Sequence, residues 1–103
     1  MQSTSMSSSY RLQFIPTALK EWKKLDRPIQ LQFKKKLKER LENPHVPASQ
    51  LYGFPNHYKI KLRASGHRLV YEVQDKKVCV IVIAVGKRDK YAVYKKAENR
   101  QTS

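Results

Sequence analysis

The chain has 103 residues, 22 of them Lys or Arg against 8 Asp or Glu, for a net charge of +14 at neutral pH. That length allows one domain, burying roughly 60 to 70 percent of its unfolded surface, and leaves no room for a separate regulatory module. The charge points to a polyanionic partner, nucleic acid before an anionic membrane, because no apolar stretch approaches the about 18 residues of a membrane span and the basic run Lys34 to Arg40 is interrupted by Leu37 and Glu39 as in an ordinary helix.

Residues 1–9 are Ser-rich, with neither a positive n-region nor an apolar h-region, so they read as a disordered leader and not as a signal peptide, with Met6 a second candidate start. A single domain is expected over residues 10–99, followed by a disordered tail over 100–103. Tyr10 to Phe14 alternates weakly as a first strand, and Pro16 stands where the first turn of a helix tolerates proline. Ile15, Ala18, Leu19, Trp22 and Leu25 then fall at helical spacing, which makes Trp22 a core residue in place of a base-stacking platform. Asp26 is an N-cap candidate with Pro28 just inside, and Ile29, Phe33, Leu37 and Leu41 recur every four residues along a second helix ending near Asn43-Pro44. The two helices form a hairpin whose outward face is expected to carry Lys34, Lys35, Lys36, Lys38 and Arg40. A solvated surface is the ordinary reading of such a face, and phosphate contact is the functional one.

After a proline-containing loop from His45 to Pro55, Tyr58 to Arg63 alternates, with Lys59, Lys61 and Arg63 on one side and Tyr58, Ile60 and Leu62 on the other. A turn at Ala64, Ser65 and Gly66 leads to a return strand placing Leu69, Tyr71 and Val73 on one side and Arg68, Val70 and Glu72 on the other. Val78 to Val85 is apolar on both faces and therefore central. Cys79, the one cysteine, lies within it as a buried hydrophobe without a disulfide partner, as suits a reducing compartment. Gly86 is expected to end this strand before a basic segment and a C-terminal helix reaching at most about Asn99.

The expected fold is α+β: a small antiparallel-rich sheet against an N-terminal two-helix hairpin, in the order β-α-α-β-β-β with a short C-terminal helix. The sheet face away from the helices then gathers Lys59, Lys61, Arg68 and Arg88. Converging cations suit RNA cleavage without a metal. The neighbouring 2′-OH attacks phosphorus, so a site must take its proton, hold the charge of a phosphorane-like state and help the 5′-oxygen depart. Arginine suits the second task, and a lysine crowded by other cations suits the first. His45, His57 and His67 are scattered, no carboxylate cluster suggests a metal, and no phosphate loop, Ser-His-Asp set or zinc spacing occurs, so no cofactor and no metal are expected.

From Tyr10 to Asn99 the chain resembles the RelE toxins of the RelE/ParE superfamily, the ribosome-dependent mRNA interferases of bacterial toxin–antitoxin pairs. The resemblance rests on Ala18-Leu19-Lys20-Glu21-Trp22 with Lys24-Leu25, the basic second helix, Leu51 with Gly53, Tyr58 to Arg63, Ser65-Gly66 with Arg68 to Tyr71, and Val85-Gly86-Lys87-Arg88. It implies cytoplasmic cleavage of mRNA in the ribosomal A site, leaving a 2′,3′-cyclic phosphate and a 5′-OH and so inhibiting translation. It also implies a RelB-like antitoxin, through which alone operator DNA would be met.

Carried over residue by residue, the resemblance implies Lys59 as general base, Lys61 and Arg68 as charge stabilisers, Arg88 as stabiliser or leaving-group acid, and Tyr94 as the stacking and orienting group, with Tyr91 three residues earlier able to exchange with it. Lys34, Lys35, Lys38, Arg63, Lys87, Lys90 and Tyr91 are the expected RNA contacts. Two other readings stand beside this one: a ParE-like inhibitor of DNA gyrase on the same fold, and a noncatalytic nucleic-acid binder whose cations only hold phosphates.

Overall fold

In the computed structural model, described here over residues 9–87, four strands and two helices follow in the order β1 (Arg11–Phe14), α1 (Pro16–Lys23), α2 (Arg27–Glu42), β2 (His57–Leu62), β3 (His67–Gln74) and β4 (Cys79–Lys87). The sheet order is β1-β4-β3-β2, so β4 and β3 are interior, as the apolar character of β4 requires. β2–β3 and β3–β4 are antiparallel and β1 joins β4 in parallel. The expected leader up to Ser8, the C-terminal helix and the tail lie outside the described residues.

Local chemistry accounts for the element ends. Pro16 occupies the first turn of α1, where its missing N–H has no intrahelical role. Asp26 sits at the N-cap of α2, but its side chain makes no capping bond; its carbonyl instead accepts the Ile29 and Gln30 N–H groups. The Gln30 side-chain amide donates to the Trp22 carbonyl at 2.8 Å and locks the turn between the helices. Gly66, at φ +80°, supplies the left-handed turn of the β2–β3 hairpin.

Both helices cover one sheet face. Ala18 and Trp22 of α1 and Phe33 and Leu37 of α2 pack on Tyr58, Ile60, Leu62, Leu69, Tyr71, Val73, Val80, Val82 and Val85. Trp22 stands between Phe14 and Phe33, with ring centroids 5.4 and 6.2 Å away, which makes it the core residue expected. Where β1 stops, Glu21 of α1 takes over its edge: the Val85 N–H donates to Glu21 Oε1 at 3.0 Å.

The other face has its own smaller apolar cluster of Leu51, Val70, Cys79, Ile81, Ile83 and Ala84, with the free Cys79 buried in it. The two clusters divide β4 as Cys79, Ile81, Ile83, Ala84 against Val80, Val82, Val85, a break in strict alternation. Its cause is a register shift between Val70 and Tyr71, where β4 inserts the extra residue Ile83. Gly86 does not end the strand. It pairs with Arg68 inside β4, which runs on to Lys87. Among the described residues no helix is long and apolar enough to cross a membrane.

Candidate active site

Directly opposite residues of an antiparallel pair share a face, so the β2–β3 register fixes which side chains meet. On the face away from the helices the pairs are Lys61–Arg68, Lys59–Val70 and His57–Glu72. β4 extends these rows with Gly86 beside Arg68, Ala84 beside Val70 and Ile81 beside Glu72. The face therefore grades along its length: cations at the hairpin end, a buried apolar floor of Val70 and Ala84 in the middle, and a buried His57 and Glu72 beyond. Gly86 leaves the surface beside Arg68 without a side chain.

Lys61 and Arg68 face each other with Cβ atoms about 5 Å apart, an arrangement that costs stability when both are cations. An anion seated between them turns the repulsion into attraction, and a phosphate matches that demand. Lys61 is exposed, Lys59 is half-buried against the apolar floor, and Arg68 Nη1 reaches back to the Gly66 carbonyl at 3.3 Å, holding the guanidinium over the turn. At the far end His57 donates its Nδ1–H to the Pro55 carbonyl at 2.8 Å and leaves Nε2 buried with no hydrogen-bond partner among the described residues. Among the described residues no group of three or more His, Cys, Asp or Glu side chains could hold a metal.

The expected RNA contacts divide. Lys34, Lys35 and Lys38 are exposed on the solvent side of the helix layer, the opposite side of the sheet from Lys59 and Lys61. Arg63 follows the end of β2 and lies exposed in the turn instead of continuing the strand face. Lys87 pairs with His67, one position beyond the Arg68–Gly86 pair, and so belongs to the helix-covered side; the inserted Ile83 set this phase. His67 there feels burial first and Lys87 second, which lower its basicity against the smaller opposing effect of Asp26. Arg88, Lys90, Tyr91 and Tyr94 lie outside the described residues.

Arg40 overturns its sequence assignment to the outward cationic face. It turns inward from the end of α2, donating from Nη1 to the Tyr71 hydroxyl at 2.9 Å and the Lys59 carbonyl at 3.3 Å, and from Nη2 to Ser49 Oγ at 3.2 Å. The signal was available in its spacing: Arg40 follows Leu37 by three residues and so flanks the apolar stripe. A second chain of contacts adjoins it. Tyr58 stacks on Tyr71 at 5.6 Å, the Tyr58 hydroxyl meets His45 Nδ1 at 2.9 Å, and His45 Nε2 meets Asp75 Oδ1 at 2.9 Å, with the Tyr10 hydroxyl donating to the same oxygen at 2.7 Å. Hydrogen bonds from His45 and then Tyr10 hold the Asp75 carboxyl below its ordinary range. Burial, with the Asp75 charge adding to it, raises the Tyr58 phenol, which stays protonated. The histidines judged scattered in sequence are thus not all idle: His45 joins elements thirteen and thirty residues away.

Residues 12–91 match the family described as the ParE toxin of the type II toxin–antitoxin system parDE. The mRNA interferase toxin RelE of Escherichia coli K12 is 54% identical over 92 residues, covering 89% of this chain and 97% of that protein. The chain belongs to the RelE/ParE toxin family. Within it, this RelE-type toxin is similar in structure to a double arginine-to-alanine variant of E. coli RelE in the free state, with a TM-score of 0.83 and 53% identity over 89% of this chain and 97% of that one. It is also similar to the toxin of the intact E. coli RelBE toxin–antitoxin complex, with a TM-score of 0.76 and 56% identity over 79% of this chain and 99% of that one. The α+β fold read from the sequence is the fold of these RelE structures.

Proposed function

We propose that this toxin is a metal-independent endoribonuclease that cleaves mRNA in the ribosomal A site and so stops translation in the cytoplasm. The observation that carries the reading is the directly opposed Lys61–Arg68 pair with Lys59 in the next row, three cations on the sheet face that the helices leave uncovered. The 54% identity to an mRNA interferase supports it.

Lys59 takes the 2′-OH proton as the 2′-oxygen bonds to phosphorus, and Lys61 and Arg68 hold the charge that builds on the non-bridging oxygens. The bond from phosphorus to the 5′-oxygen then breaks, leaving a 2′,3′-cyclic phosphate. Arg88 stabilises the departing oxygen or protonates it to a 5′-OH, and Tyr94 stacks on a base to align the attack. Lys34, Lys35, Lys38 and Arg63 contact rRNA phosphates, and Lys87, Lys90 and Tyr91 are further RNA contacts. Basic surfaces on both sides of the sheet suit a partner that encloses the domain, as a ribosomal cleft does, better than a flat duplex touching one side.

A RelB-like antitoxin neutralises the toxin, by analogy with the E. coli RelBE complex. A partly disordered acidic segment suits a +14 protein. Operator DNA is met only through that partner. The family description also names ParE, which keeps gyrase inhibition as the second reading.

The test is an end-labelled mRNA on programmed ribosomes, mapped for cut position and end chemistry, beside a DNA gyrase supercoiling assay. A-site cuts with cyclic-phosphate ends are expected. Intact mRNA with inhibited gyrase would select the second reading, and intact mRNA with active gyrase would leave only binding.

A further inference from the structure

The hydrogen-bonding pattern of β2 singles out one peptide. As an edge strand, β2 turns alternate carbonyls away from β3. The His57 carbonyl is one of these and is taken by the Leu51 N–H at 2.9 Å, where the preceding loop runs alongside. Two residues on, the next outward carbonyl is that of Lys59. Among the described residues no backbone donor reaches it there; the Arg40 guanidinium does, from α2, at 3.3 Å.

Arg40 is itself held. Its Nη1 also donates to the Tyr71 hydroxyl at 2.9 Å, which in turn donates to the Pro44 carbonyl at 2.9 Å, and Nη2 anchors on Ser49. Burial raises the Tyr71 phenol more than the neighbouring guanidinium lowers it, so this hydroxyl stays protonated as a donor. The residue beside the gripped peptide is fastened as well: Tyr58 stacks on Tyr71 and binds His45, which Asp75 orients. The strand is thus clamped from the helix side at Tyr58 and at the carbonyl of Lys59. The Lys59 side chain leaves from the opposite face.

We infer that Arg40 is a positioning residue for Lys59, setting the pitch of β2 so that the lysine projects toward the reacting 2′-OH. The inference rests on the RNA-cleavage reading above. Arg40 touches no substrate; it acts through the backbone of Lys59. Misplacing a reacting group by about 1 Å costs up to roughly 100-fold in rate, which sets the size of the effect.

The experiment measures single-turnover mRNA cleavage on programmed ribosomes by wild type, Arg40→Ala, Lys59→Ala and the double variant, with circular dichroism to select folded protein. Arg40→Ala is expected to lower kcat roughly 10- to 100-fold with KM near wild type, and to add little to the loss already caused by Lys59→Ala. Arg40→Lys restores the charge but not the fork that joins three acceptors, so it recovers only part of the rate. If Arg40→Ala does not fold, Tyr71→Phe removes an acceptor of Arg40, keeps the ring, and carries the same expectation in both backgrounds. Equal losses with and without Lys59, or a raised KM alone, would overturn the inference and make Arg40 a structural or phosphate-binding residue. Uncut mRNA with folded wild type would overturn the cleavage reading itself.

Discussion

The two faces of the β2–β3 hairpin are built from alternate residues of the same two strands and obey different rules. On the helix side, Tyr58, Ile60 and Leu69 are buried against Phe33 and Leu37, and polar groups there are paired with one another through Arg40, Tyr71 and His45. On the other side, Lys61 and Arg68 are set directly opposite each other, with Lys59 above an apolar floor. One face is arranged to lower the free energy of the folded chain. The other sets two cations directly opposite each other, an arrangement that costs stability and suits an anion seated between them. A single six-residue strand does both because its side chains alternate.

The comparison is broken most strongly by Phe33→Ala. Removing this fully buried ring is expected to cost about 3–5 kcal/mol, much of a small domain's stability, read as a lower urea midpoint. Cleavage per folded molecule should survive. A mutant that stayed stable but lost cleavage would show that the helix-side core is not the purely structural face described.

The converse change comes next in size. Lys59→Ala and Arg68→Ala are each expected to lower the single-turnover cleavage rate about 10²- to 10³-fold, as for other groups placed to meet transition-state charge. The urea midpoint of Lys61→Ala should stay level or rise, since it relieves the repulsion across the strands. Parallel losses of stability and rate in these variants would contradict the division of labour between the faces.

A smaller effect is expected on the helix layer. Replacing Lys34, Lys35 and Lys38 with alanine should raise KM for ribosomes and flatten the dependence of binding on salt by somewhat less than one unit of slope per lost phosphate contact. A change confined to kcat would place these residues in the chemistry instead.

The smallest expected effect is in pH. Burial and Lys87 lower the basicity of His67 in the folded chain, so below its ordinary pKa of 6.5 the unfolded chain takes up more protons. Stability is therefore fully present above that value and declines as pH falls toward the lowered folded value. Urea midpoints at pH 7.5 and 5.5 should differ less in His67→Gln than in wild type. An unchanged difference would remove His67 as the cause.

Much of this division was legible from local pattern alone. Period-two alternation from Tyr58 to Leu62 placed Lys59 and Lys61 together and away from Ile60, and the unbroken apolar run in β4 marked it as interior. The helical spacing that made Trp22 and Phe33 core residues also held. Arg63 was misread as strand because alternation says nothing about where pairing stops. Arg88, placed on the open sheet face by the strand pattern, and Tyr94, carried over by resemblance, lie outside the described residues.

By itself, then, the sequence determined the element types among the described residues, the separation of cations from core along β2, and a net charge that suits a polyanionic partner. These depend on backbone periodicity and net charge, which are properties of neighbouring residues and of composition. Only the tertiary structure decided that β1 lies parallel to β4, that one inserted residue turns Lys87 away from Arg68, and that Arg40 leaves the solvent face to grip Lys59 from behind. The reason is physical. Arg40 meets Tyr71 across 31 positions of chain, and its direction is set by which buried acceptors lack a donor, a condition that exists only once the sheet and helices are packed together.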